Sequence, residues 1–187
     1  MSRIIAIAAI IGLPLVQAGQ IDRSKPPSVV ASAEGFIVRR LTEPVAIDGR
    51  AWIAIDSVSA AGSLHAPNGR FTLTLQEAKE HAGDVVRFRV FFAEGARRIQ
   101  LDPDVAAYAY ISPDSRWIVS DPLEIVDVPN WRRYSLSKSF KISPYVVLKA
   151  ISADGGRLFI ARQACAFDCP NIPLEYFEIG FPRTRVE

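Results

Sequence analysis

The sequence is poor in the residues on which most enzyme sites are built. It holds two histidines, two cysteines and one methionine in 187 residues. Zinc centres and nucleophilic triads draw on His and Cys, so few such sites are open to it. The G-x-S-x-G elbow, H-E-x-x-H, the P-loop and G-x-G-x-x-G are all missing. His65 lies in SLHAPNG beside a turn and His81 ends a short helical stretch, so both read as solvated residues and neither is taken as a ligand. Charge of one sign is lacking too. With 22 Lys plus Arg against 20 Asp plus Glu the net charge is +2, without the basic excess that nucleic acid as the main partner requires.

Long apolar runs are also absent. The longest, Ile4 to Val16, follows Arg3 and ends at the small residues Val16 and Ala18. It falls short of the ~20 residues of a membrane-spanning helix, and its three-part form is that of a secretory signal peptide cleaved before Gly19. The expectation is a signal peptide over 1–18, a free exported protein in the periplasm or outside the cell, and no permanent membrane anchor. Residues 19–34, with Pro26-Pro27, then read as a flexible leader, and 35–187 as one domain. In an oxidising compartment the two cysteines, Cys165 and Cys169 in CAFDCP, are expected to form a disulfide across a turn. Four residues of extended chain would hold them about 13 Å apart, too far to bond. The CxxxCP spacing also resembles the copper motif of thioredoxin-like copper chaperones. That family carries its motif early and a histidine downstream, whereas both histidines here lie upstream.

What is present in quantity is short apolar alternation broken by turn residues. Strands are expected at 36–41, 51–58, 71–75, 85–92, 106–111, 117–120, 131–142, 145–152, 157–162 and 176–181, with a helix only at Leu75 to His81. Asp48-Gly49, Pro67-Asn68-Gly69, Pro113-Asp114 and Asp154-Gly155-Gly156 supply the turns. In VVRFRVFF, Val86, Phe88, Val90 and Phe92 share one side and Arg87 and Arg89 the other. In RYSLSKSFKI, Tyr134, Leu136, Phe140 and Ile142 share a side that Lys138 interrupts, as a bulge would. So many one-sided strands predict an all-β, two-sheet antiparallel sandwich with Phe88, Val90, Leu136 and Leu148 in one core.

GRFTLTL followed by VVRFRVFFAEGARRI can be laid on RRYSLSK followed by VVLKAISADGGRLFI, setting Phe71 with Tyr134, Phe88 with Leu148 and Gly95 with Gly155. Duplication and convergence of two hairpins are both open. Across residues 50 to 164 this rhythm, with a Trp-x-x-Tyr strand before a long apolar strand and a glycine turn, resembles the jelly-roll modules of the galactose-binding-like class. The resemblance implies a jelly-roll-like sandwich and carbohydrate as ligand.

The candidate site residues are aromatic and basic. Tyr108 and Tyr110 share one face of AAYAYIS, and the alanines opposite could serve a crowded core, leaving the rings to stack on a sugar. Trp117 follows across a turn, and Trp131 sits in the register of a polar strand face. Arginine outnumbers lysine by 17 to 5, and Arg87 and Arg133 fall on solvent-side faces, where a planar fork suits the carboxylates or sulfates of an acidic polysaccharide. Asp102 and Asp104 in LDPD could offer two oxygens to a structural Ca²⁺, which needs six to eight. No other cofactor is expected.

Three functions fit these residues. The first is a non-catalytic binding module for acidic carbohydrate, with a glycan or envelope protein as partner. The second is an exported interaction, structural or inhibitor protein, whose mark would be an apolar patch or a free sheet edge. The third is a jelly-roll hydrolase or lyase, which needs carboxylates converging in a cleft.

Overall fold

The computed structural model describes residues 21–55, 61–78, 86–102, 104, 106–140, 146–162 and 174–182. The expected signal peptide, His81, Cys165 and Cys169 lie outside the described residues.

The protein is an all-β sandwich, and it has three sheets. The central sheet runs in the order β1(Ser28–Val30), β11(Arg132–Ser135), β10(Glu124–Asp127), β9(Trp117–Ser120), β8(Ala109–Ile111). One outer sheet runs β2(Ile37–Leu41), β14(Glu175–Gly180), β13(Arg157–Arg162), β12(Val146–Ser152), β3(Trp52–Ala54). The other is β4(Gly62–His65), β5(Thr72–Glu77), β6(Phe88–Glu94), β7(Arg97–Gln100). All pairings are antiparallel except β1 with β11. Most consecutive strands stay within one sheet as meanders, whereas a jelly roll passes its chain between sheets.

The middle of the central sheet, β9 and β10, is buried on both sides because these strands carry apolar residues on both faces. Trp117, Val119, Ile125 and Tyr134 pack with Leu148, Ile151, Leu158 and Ile160 of the first outer sheet. Ile118 and Val126, from the alternate positions, pack with Leu73, Phe88, Val90 and Phe92 of the second. The four residues expected in one core therefore divide. Phe88 and Val90 belong to one, and Leu136 and Leu148 to the other. A third, smaller cluster of Trp52, Ala150 and Phe159 lies on the far face of the first outer sheet.

Four local expectations are corrected. The stretch 75–77 is strand, and the single helix among the described residues is α1(Leu136–Ser139), inside the run expected as one long strand. Lys138 breaks the apolar alternation because the chain has turned helical there, burying Leu136 alone. Residues 21–34 are bound rather than loose. β1 pairs with β11, Arg23 meets Glu94 at 2.9 Å, and the Trp131 indole donates to the Lys25 carbonyl at 2.7 Å. Val86, expected beside Phe88, is exposed ahead of β6.

The proposed repeat holds for the hairpins alone. Gly95 and Gly155 both take positive φ, 59° and 70°, in the β6–β7 and β12–β13 turns. Before them the halves differ, since β5 pairs with β6 whereas β11 lies in a different sheet from β12.

Candidate functional site

The aromatic surface expected from the sequence does not form, because the strands that carry it lie in the central layer. Tyr108 is 6% exposed, Trp117 2% and Trp131 3%. Tyr108 and Trp117 belong to the core against the first outer sheet, and half-buried Tyr110 packs against it. Ala109 and Ile111 face the other core, so large and small side chains alike are interior. Trp131 is also in that second core, its ring 4.8 Å from Phe92. Burial pushes the Tyr108 phenol well above its ordinary range, with the nearby Asp121 charge adding to the rise.

The basic and acidic candidates do come together, in a groove at the β9–β10 end of the central sheet. Arg133 pairs with Asp102 and faces Glu124 at 3.8 Å, while Arg87 pairs with Asp121 at 2.6 Å. Asp102, Asp104, Asp121, Glu124, Arg133 and Lys138 line a cavity of about 120 Å³ over an apolar floor. Burial raises the Glu124 carboxyl, against the lowering pull of Ser135 and Arg133. The Ca²⁺ reading of Asp102 and Asp104 finds a turn instead. One Asp102 oxygen accepts the Asp104 N–H at 2.9 Å and the other is on Arg133. No metal-binding group of three His, Cys, Asp or Glu occurs among the described residues. Carboxylates thus converge as a hydrolase would need, but arginine neutralises two of them and the space is smaller than a disaccharide.

A larger cleft, about 760 Å³, opens at the other end of the central sheet, within the size range of small-ligand sites. Two copies of one turn build one wall. In Ser112-Pro113-Asp114-Ser115 the Ser112 hydroxyl bonds the Asp114 carboxylate and accepts the Trp117 N–H at 2.8 Å. In Ser152-Ala153-Asp154-Gly155 the Ser152 hydroxyl likewise bonds Asp154 and accepts the Arg157 N–H at 2.8 Å. The fourth residue of each is left-handed, Ser115 at 60° and Gly155 at 70°. Hydrogen bonds from the Ser152 hydroxyl and then the Gly156 N–H hold Asp154 below the usual carboxylate range.

The opposite wall is the far face of the first outer sheet. Glu178 stands in register with Phe159 on one side and Arg39 on the other. Its two oxygens meet two guanidiniums, Arg39 at 3.2 Å and Arg157 at 3.5 Å. Arg157 also lies over the Trp52 ring, 5.0 Å from its centroid. Gly180 is paired with Arg157 and Ile37, so no side chain fills the floor between them. Arg116 stacks on Trp117 at 4.7 Å and pairs with Asp127 at 3.3 Å at the cleft's edge.

Of the sequence candidates only Trp117 touches this cleft, and it does so as a wall. Arg39, Arg157 and Glu178 are not among the sequence candidates. The available signals were the recurrence of Ser-x-Asp-Ser/Gly at 112 and 152, and a glycine within EYFEIG, since glycine inside a strand marks a place where something approaches closely. Comparison of the chain with protein-family models, curated proteins and solved structures finds no match.

Proposed function

We propose that the protein is an exported, non-catalytic binding module that takes an acidic carbohydrate in the arginine-rimmed cleft. The observation that carries this reading is a single carboxylate, Glu178, shared by two arginines, which puts a local excess of positive charge on that wall of a cleft whose lining is neutral as a whole, three arginines against three carboxylates. Asp114 and Asp154 on the other wall are hydrogen-bond acceptors. An acidic sugar carries both complements, an oxyanion for the guanidiniums and hydroxyls that donate to carboxylates. A cleft open to solvent fits affinities in the micromolar to millimolar range, about −4 to −8 kcal/mol.

Titration of the protein with uronate, sulfated and neutral oligosaccharides tests the reading. Acidic ligands are expected to bind and to weaken as salt rises, because exposed charge pairs are screened. Binding of none of them at millimolar concentration would overturn it.

The outer edge of β2, with Ile37 exposed, favours a second reading as an exported interaction or structural protein. That reading predicts slowed amide exchange in β2 when envelope extract is added and none when oligosaccharide is added.

A further inference from the structure

Two guanidiniums on one carboxylate can arise in two ways. Either the carboxylate occupies the position a ligand would take, or it sits beneath the arginines and holds them for one. Exposure decides between them. The side chains of Arg39 and Arg157 are 64% and 44% exposed, whereas that of Glu178 is 14% exposed. Both forks therefore extend past the carboxylate into solvent. Arg157 is fixed on a second side by Trp52, which is itself packed edge-on against Phe159. Gly180 presents no β-carbon to Arg157, and the backbone beside it leaves the guanidinium free to lean across to Glu178 on the neighbouring strand.

We infer that Glu178 is a positioning residue that holds Arg39 and Arg157 as a two-guanidinium clamp for one oxyanion group of the ligand, a uronate carboxylate or a sulfate ester. This rests on the acidic-carbohydrate reading for the identity of the ligand, but the clamp itself answers to inorganic sulfate as well. Planar forks set side by side contribute more than their charge, since each hydrogen bond is made without first ordering a long side chain.

The sign of one substitution tests it. Glu178→Gln keeps the shape and adds one unit of positive charge, so a carboxylate that merely competed would give way to tighter anion binding. A positioning carboxylate gives the reverse: binding of sulfated or uronate oligosaccharide falls at least tenfold although the site has become more positive. Arg39→Gln, at an exposed edge position, should cause a similar loss, and adding Glu178→Gln to it should cost less than threefold more. Sulfate titration followed by the Arg Nε–H resonances gives a second readout. In the wild type the Arg39 and Arg157 signals shift together, and in Glu178→Gln they broaden and shift independently. Unchanged or tighter binding by Glu178→Gln, with the fold intact by circular dichroism, overturns the clamp while leaving the carbohydrate reading standing. Sulfate shifts without oligosaccharide binding would keep the clamp and remove the carbohydrate. Response to neither ligand overturns both.

Discussion

The carboxylate of Asp114 lies against the α-carbon of Gly155, so closely that a β-carbon there would stand 2.6 Å from its Cγ. The contact joins the β8–β9 turn of the central sheet to the β12–β13 turn of an outer one, and it ties the two turns into one wall of the cleft. Gly155 also needs its positive φ. Gly155→Ala is therefore expected to destabilise by about 1–3 kcal/mol, from the left-handed backbone and from displacing Asp114. Pairing it with Asp114→Ala should recover the part due to the clash, as coupled neighbours do, and a denaturant-melt double-mutant cycle reads that coupling.

Gly180 keeps the cleft floor open. A Cβ there meets Ile37 only at ordinary contact distance, 3.7 Å, and a strand tolerates a branched residue well. Gly180→Val should fold normally and lose acidic-oligosaccharide binding by at least tenfold in calorimetric titration.

Phe88 and Leu148 occupy different cores on opposite sides of the central sheet. Phe88→Ala should cost about 3–5 kcal/mol and Leu148→Ala about 2–5. The double variant should be additive within about 0.5 kcal/mol, since the sites share no partner. A large coupling in chemical denaturation would mean that the two cores are not separated by the central sheet.

Trp131→Phe keeps a ring against Phe92 but removes the donor to the Lys25 carbonyl. The loss should be about 1–3 kcal/mol, and limited proteolysis should cut faster within 21–30.

Glu124 gives a pH signature. Burial raises its carboxyl above the unfolded value, so the native state binds the proton more tightly than the unfolded chain. Its contribution is favourable at acid pH and is lost as pH rises through the folded pKa. Glu124→Gln should accordingly raise Tm relative to wild type at pH 7.5, with the difference shrinking at pH 4.

How much of this was written in the chain can be seen at Trp117 and Ile118. Turn residues and short alternation were enough to establish an all-β sandwich, and they located β9 and β13 at the residues where these strands lie. Pairs such as Asp154-Gly155 carried their own turn geometry, because local backbone sterics act within a few residues. Alternation, however, states only that two faces of a strand differ, and not what lies opposite either face. In the central sheet both faces meet another sheet, so Trp117-Ile118-Val119 and Ile125-Val126 are apolar at successive positions, as doubly covered strands are. The rings of Tyr108, Trp117 and Trp131 went inside for that reason, and β10 offered no alternation to read. The same limit applies to the cleft. Arg39, Arg157 and Glu178 are far apart along the chain and meet only because β2, β14 and β13 pair in one register. The sequence determined the strands and their turns by local sterics. Long-range pairing and layering decided which side chains were core and which became a site.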